Sequence, residues 1–461
     1  MAGVAVAWMD AELGRRQRED QPAVAASTCF QPSVSRSVER SASASGVKSI
    51  TCAPVITRPI LSPMRWSRKN DEASIRARQD ALGVDGLVTS VDLEPFTRAA
   101  ESLTGVAVIP VSVVAPLVVS LGDYELDEGG EVVETGRTQE KVHVPLAHTE
   151  GGLTASMTRG AKAAAESGGI TTHVLYDRIT RASCFVCATT QEAVQLARWL
   201  AGELDAMRDW LGEQDNPMLS RYAKLRDVTT HVVGPMCHVL WAWTTGDAVG
   251  PNMMTRNSYA LNMGYVMERA PVKPERAILE ANMGGDKKPS FQFFQHGHGK
   301  TVIAECTLAD EAIRRVLRTT ADDLDALAWA GTHGAVASGM QSVAFTPASA
   351  VAAIFAATGQ DLGMVGTSSM AHGTGRRVDG GLHCSIRFPG LEVGTVGGGT
   401  TLPSARDWLE VLGCAGPGKV YRFAQIVAAA ALALEISASA AMATAGSENF
   451  FRAHHERGGL R

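Results

Sequence analysis

The 461-residue chain lacks an excess of either charge: 43 Lys and Arg stand against 48 Asp and Glu, a net −5. Nucleic-acid binding rests on a basic face, so composition predicts no such partner and leaves small molecules as the default. A disulfide framework is also missing. Eight cysteines (Cys29, Cys52, Cys184, Cys187, Cys237, Cys306, Cys384, Cys414) are scattered along the chain, which suits a reducing compartment. Cys184 and Cys187 form a lone C-x-x-C inside an apolar, strand-like stretch. His296 and His298 flank a glycine and read as exposed turn residues with no further ligands nearby, so no metal site is predicted. Long apolar runs are interrupted: 104–121 carries Pro110 and Pro116, and 426–442 carries Glu435, so both read as core and no membrane span is expected. Residues 1–70 show no lasting periodicity and read as a disordered leader. Its acids Asp10, Glu12, Glu19 and Asp20 argue against a transit peptide, and a cytoplasmic location is expected.

What is present is a mixture of helical and strand patterns. A helix is predicted over 71–82 with Gly83 as its C-cap, a second over 94–103, and an extended apolar run through a core over 106–117. A polar hairpin follows over 122–144, then a helix through Met157 to Ala165 with Glu150 at its start. Thr189-x-x-Glu192 has the form of a capping box, and Ala193, Ala197, Leu200, Leu204, Met207 and Leu211 lie on one helical face, predicting one packed helix. His238 to Trp243 reads as a buried strand. It ends in Thr245-Gly246-Asp247-Ala248-Val249-Gly250-Pro251-Asn252, a strand, glycine turn and helix start whose N–H groups suit an anion, although the turn is not G-x-G-x-x-G. Residues 291–306 read as paired strands, 310–319 and 349–358 as helices, 382–388 as a strand, and an Ala-rich helix runs from beyond Gly418 to about Ala445.

Three loops carry candidate chemistry. Ala281-Asn282-Met283-Gly284-Gly285-Asp286-Lys287-Lys288-Pro289 sets two ammonium groups after a glycine pair, with Pro289 barring a helix from starting there. Read alone, it is also compatible with a solvated turn. Gly359-Gln360-Asp361 places a carboxylate just past a nearly all-apolar helix, where pairing with a lysine is the simplest account. Leu391-Glu392-Val393-Gly394-Thr395-Val396-Gly397-Gly398-Gly399-Thr400 lets backbone and ligand approach closely.

In order and spacing, Thr149-Glu150-Gly151, Gly246-Asp247-Ala248-Val249-Gly250-Pro251-Asn252-Met253, Asp286-Lys287-Lys288-Pro289, Gly359-Gln360-Asp361 and 394–400 together resemble 3-hydroxy-3-methylglutaryl-CoA reductase over about residues 75 to 458. The form resembled is the class I catalytic domain without its membrane anchor. The resemblance implies an α+β fold: a large domain around a long central helix, with a smaller α/β NADP-binding domain inserted in it. By this correspondence 71–104 is an N-terminal helical segment, 105–181 and 279–445 form the large CoA- and substrate-binding domain, 182–278 the inserted domain and 446–461 a C-terminal flap. It further implies NADPH-dependent reduction of 3-hydroxy-3-methylglutaryl-CoA to mevalonate and CoA, in a homodimer or homotetramer with active sites between subunits. Matched motif by motif, Lys287 would stabilise the oxyanion, Glu150 supply protons and Asp361 tune both, while His454 would protonate the CoA thiolate, with His455 its neighbouring rival. Asp247, Val249, Gly250, Asn252 and Arg159 would serve the cofactor, and Arg181, Lys288 and Asp286 the substrate.

The chain also departs from that pattern. Ser112 and Ala115 stand where the family has glycines, and Leu460 where animal enzymes present a phosphorylated serine. At the acyl end Glu280, Trp329 and Ser349 replace a serine, a lysine and an asparagine that hold the substrate carboxylate. These changes favour, as an alternative, an acyl-CoA lacking that carboxylate. A further alternative is a non-catalytic CoA- or nucleotide-binding relative.

Overall fold

A computed structural model describes residues 69–82, 91–114 and 116–443. The leader, Gly83, Ala115 and the C-terminal flap with His454, His455 and Leu460 lie outside the described residues. The first helix is α1, Glu72–Leu82. The helix predicted over 94–103 is a single 3-10 turn, Glu94–Phe96, which buries no side chain and so has no core to extend against. The apolar run after it does not cross a core as expected: Val108 is 69% exposed, and Ile109, Val111 and Val113 are each 42% exposed. Pro110 and Pro116 withhold ladder donors, and among the described residues β1 (Val111–Val113) pairs with just the short β4 (Pro145–Ala147). Between them β2 (Leu117–Leu126) and β3 (Val132–Val142) form the expected hairpin, and α2 follows at Leu153–Ala165.

The strand β5, Ile170–Val186, is 17 residues long because it serves two neighbourhoods. Its first half pairs with β9 (Gly299–Ala309), from Thr171 opposite Glu305 to Arg178 opposite Gly299. Its second half pairs with β7 (Met236–Thr244) on one side and β8 (Arg276–Ile278) on the other. A separate cluster of buried side chains, including Phe185, Leu196, Met207, Trp241 and Trp243, gathers around this second half. Here the capping box at Thr189 and Glu192 forms as read. The one packed helix predicted from it is instead two, α3 (Thr190–Leu200) and α4 (Leu204–Glu213). Gly202 stands in the break, where helix propensity is poor. Strand β6 (Lys224–Val233) pairs with β7, and α5, Pro251–Ala260, starts with Pro251 in its first turn.

The rest of the chain builds the larger core. The paired strands expected over 291–306 are a short helical turn, Phe293–His296, followed by β9 alone. Helix α6 (Ala321–Ala337) has no sequence counterpart above: its exposed face carries Trp329 at 70% and Val336 at 69% exposure, so apolar periodicity gives no signal. Then come α7 (Pro347–Ala357), β10 (His372–Val378), β11 (Gly381–Leu391), α8 (Pro403–Val411) and α9 (Val420–Met442). The sheet runs β10-β11-β9-β5-β2-β3.

Helix α9 is long and apolar enough to cross a membrane, but 89% of its most apolar window is buried inside the protein. Its alanines allow close packing. At Gly160 on α2 an added Cβ would overlap the Ala433 carbonyl oxygen, so the two helices touch backbone to backbone. Its polar residues are engaged: Gln425 exchanges hydrogen bonds with both backbone groups of Gly122, at 2.8 and 2.9 Å. Glu435 accepts from the N–H groups of Phe345 and Thr346 before α7, at 2.8 and 2.9 Å. That explains a carboxylate inside an alanine run, since a buried charge needs donors.

Candidate active site

The 281–289 loop is folded by its glycines. Gly285 has φ 75°, and the Lys288 N–H closes a turn on the Gly285 carbonyl at 2.9 Å. Lys287 itself lies in the left-handed region, φ 56°, an uncommon conformation for a side-chain-bearing residue that concentrates at functional sites. Its ammonium donates to Asp361 at 3.0 Å. Asp361 caps the 3-10 turn Leu362–Met364, its other oxygen accepting from Gly363 N–H at 2.8 Å. A Cβ at Gly363 would stand 2.6 Å from Lys287 Nζ, so a side chain there would push the ammonium aside. The lysine–carboxylate pairing read from the sequence is therefore present, with both side chains still partly open to solvent.

Behind the turn, Arg181 on β5 is 4% exposed and spans two acids, reaching Glu280 at 2.7 Å and Asp286 at 3.3 Å. Glu280 is anchored further by Asn282 N–H at 2.8 Å. Glu280, which replaces a serine of the resembled family, is thus neutralised from within. Lys288 folds back on the Asp286 carbonyl at 3.0 Å, and Trp329 stands exposed on α6, edge-on to His333.

A cleft joins the other motifs. Its walls include Val249, Gly250 and Asn252, residues 396–401 and Asp361. The motifs are stitched by backbone: Thr395 N–H donates to the Asp247 carbonyl at 2.8 Å, Gly394 N–H to the Gln360 amide oxygen at 2.9 Å, and a Cβ at Gly359 would overlap the Gly399 carbonyl. Gly397 and Gly398 have positive φ with open space before them. Asp247, a candidate cofactor ligand by sequence, has its carboxylate engaged by the N–H groups of Gly418, Lys419 and Val420 at 2.8, 3.0 and 3.2 Å, capping α9. Arg159 is bound to Ser437 on α9, at 2.9 Å to its hydroxyl and 2.6 Å to its carbonyl, and burial together with Arg318 holds its guanidinium below the usual range.

Glu150 is exposed, two residues before Gly152, the N-cap of α2, and among the described residues it forms no ion pair with Lys287, which pairs with Asp361. Its loop is held through Ser112, whose hydroxyl contacts His148 Nε2 at 3.1 Å and also Thr154. The sequence reading missed two residues. His298, expected on an exposed turn, is fully buried and stacked on Phe293 at 4.6 Å, because β9 starts directly after it and draws it inward. Glu392 is 1% exposed, and burial pushes its carboxyl up to about 8, with Asp286 and Asp361 adding to the shift. Its signal was an acid between Leu391 and Val393, both apolar, just ahead of the glycine loop.

Hydroxymethylglutaryl-coenzyme A reductase is the family that matches residues 74–458. The 3-hydroxy-3-methylglutaryl-coenzyme A reductase of Pyrococcus horikoshii is 37% identical over 370 residues, covering 78% of this chain and 84% of that protein. That of Aeropyrum pernix is 35% identical over 377 residues, covering 80% and 84%. In fold, the chain is similar to the class II 3-hydroxy-3-methylglutaryl-CoA reductase of Streptococcus pneumoniae bound to NADPH, with a TM-score of 0.59 and 17% identity over 80% of this chain and 93% of that one. The chain belongs to the hydroxymethylglutaryl-coenzyme A reductase family.

Proposed function

We propose that the chain is an NADPH-dependent reductase that converts 3-hydroxy-3-methylglutaryl-CoA to mevalonate and CoA. The observation that carries this reading is the Lys287–Asp361 pair at 3.0 Å, with Asp361 also on the wall of the glycine-lined cleft. Reduction of a thioester to an alcohol takes two hydrides, and each leaves an oxygen whose growing negative charge must be stabilised or protonated. Lys287 supplies the cation for that oxygen. Asp361 holds the ammonium in place, and exposed Glu150 serves as the proton donor. His454 protonates the departing thiolate. Bound NADPH would supply the hydrides. Val249, Gly250 and Asn252 would hold it at the N-terminus of α5 with Gly397 and Gly398, whose bare backbone leaves room for it. Asp247 fixes that turn, and Arg159, Arg181, Lys288 and Asp286 complete the cofactor and substrate contacts.

The residues around the second half of β5, about 182–278, form the inserted NADP-binding domain of this proposal, and α9 is the central helix of a large domain made by 105–181 and 279–445. Subunits pair as a homodimer or homotetramer, with active sites between them. A class I-like assignment rests on the motif set, while the fold match is to a class II enzyme. The test is NADPH oxidation that depends on 3-hydroxy-3-methylglutaryl-CoA and releases CoA thiol; folded protein with no such turnover would remove the reading.

A second reading is favoured by one contact. Glu280 lies 2.7 Å from Arg181, where an incoming carboxylate would pair, and this arrangement suits a different acyl-CoA without a distal acid. At an effective dielectric near 20, charges about 4 Å apart interact by about 4 kcal/mol, enough to govern selection. Glu280→Ser is expected to raise kcat/KM for the carboxylated substrate, relative to a neutral acyl-CoA, by about tenfold or more. An unchanged ratio would show that Glu280 does not compete for Arg181.

A further inference from the structure

Behind the Lys287–Asp361 pair, Asp286, His298 and Glu392 each bring a polar atom within 4.8 Å of the others, His298 Nε2 lies 3.6 Å from Glu392 Oε2, and Asp286 Oδ1, His298 Nε2 and Glu392 Oε2 have no hydrogen-bond partner among the described residues. The proton inventory of this group follows from its neighbours. Thr180 Oγ1 contacts the Gly284 carbonyl at 3.1 Å and His298 Nδ1 at 3.0 Å. A threonine hydroxyl has one hydrogen and a carbonyl only accepts, so Thr180 donates to Gly284 and His298 Nδ1–H donates to Thr180. Nε2 is then the lone-pair nitrogen, in keeping with burial, which pushes the imidazole down to about 4.

The same count applies at Thr367. Its hydroxyl contacts the Met364 carbonyl at 3.0 Å and Glu392 Oε1 at short range. Its one hydrogen cannot serve both acceptors, so the two contacts are hydrogen bonds at once only when Thr367 donates to the carbonyl and a protonated Glu392 donates to Thr367. An ionised Glu392 would instead add a buried negative oxygen beside Asp286 and a lone pair, with Asp361 also close enough to oppose it. The charged and titratable groups around it are Asp286 and Lys287 on their loop, Asp361 on its turn and His298 ahead of β9, with Arg181 on β5 facing both His298 and Asp286.

Glu392 touches both halves of the pair's support. Thr367 lies just beyond the turn that Asp361 caps, and Glu392 N–H donates to Ser368 Oγ at 3.0 Å. On the other side Thr180 and His298 reach the Gly284 carbonyl, at the root of the Lys287 turn. We propose that Glu392 is a positioning residue held as a neutral carboxylic acid: its Oε1 proton ties it to Thr367 beside the Asp361 turn, and its uncharged Oε2 packs against His298 Nε2 at 3.6 Å on the Lys287 side, which keeps the pair in register. The proposal rests on the reductase reading for its effect on turnover, but not for its protonation state.

Two measurements test it. Infrared difference spectra between about pH 7 and about pH 9 should show the wild-type protein losing a protonated-carboxyl carbonyl band that Glu392→Gln lacks throughout. With turnover, wild-type kcat should fall along an alkaline limb near pH 8, where this group loses its proton. Glu392→Gln, which keeps a donor but cannot ionise, should lower kcat at neutral pH by about three- to tenfold and lose that limb, with KM little changed. The infrared result decides the protonation state even if the reductase reading fails. Absence of the band would overturn the proposal. So would a limb unchanged in Glu392→Gln, a loss of about a thousandfold or more in that folded variant, which marks a group in the chemistry rather than a positioning residue, or a metal ion retained by the wild type and lost on substitution, which requires an ionised Glu392.

Discussion

Lys287→Ala is expected to lower kcat by about 10²–10³-fold, a loss of about 2.7–4 kcal/mol of transition-state stabilisation, while leaving the fold intact. The fold should survive because the side chain is partly solvent-exposed and its partner Asp361 keeps the Gly363 N–H after the ammonium is gone. The rate should not, because the ammonium is the cation that Asp361 and the left-handed turn hold in place. Single-turnover kinetics beside thermal unfolding would separate the two effects. A folded variant with kcat within threefold of wild type would remove Lys287 from the chemistry.

Lys300→Met should have the largest effect on stability. Lys300 and Asp177 are 2% and 3% exposed, 2.7 Å apart, and Tyr421 donates to the other Asp177 oxygen at 2.9 Å. Burial and Asp177 raise the Tyr421 phenol well above its usual range, so it stays a neutral donor. Removing the ammonium leaves an uncompensated charge among β5, β9 and α9, at an expected cost of about 3–5 kcal/mol. Replacing both ions, Lys300→Met with Asp177→Leu, should restore much of that loss. Lys300 also reaches the Gly246 carbonyl at 3.4 Å, in the turn leading to Val249 and Gly250. Denaturant unfolding of the single and double variants measures both expectations; a single variant within 1 kcal/mol of wild type would contradict the first.

Much of the architecture was legible because its signals are local. The capping box at Thr189, the proline that opens α5 and the alanine run of α9 each act over a few residues. The Lys287–Asp361 pairing was also readable, since a carboxylate just past an apolar helix needs a cation. What escaped depends on contacts between distant segments. His298 looked like half of an exposed His-Gly-His turn until β9 pairing carried it inside. Glu280 looked hostile to an acid unless Arg181 or Lys288 neutralised it, and only the fold shows which: Arg181, 99 positions earlier, reaches it at 2.7 Å. The apolar run at 106–117 misled in the opposite sense: its residues have the β-branched character of a core strand, but 108–113 stays at the surface, and β1 within it pairs with the short β4.

The reductase activity is tested most directly by the balance of one reaction. With 3-hydroxy-3-methylglutaryl-CoA as the limiting reagent, it predicts two NADPH oxidised for each CoA thiol released, with mevalonate as the product. Folded protein that releases CoA without oxidising NADPH, or that leaves both untouched, would contradict it.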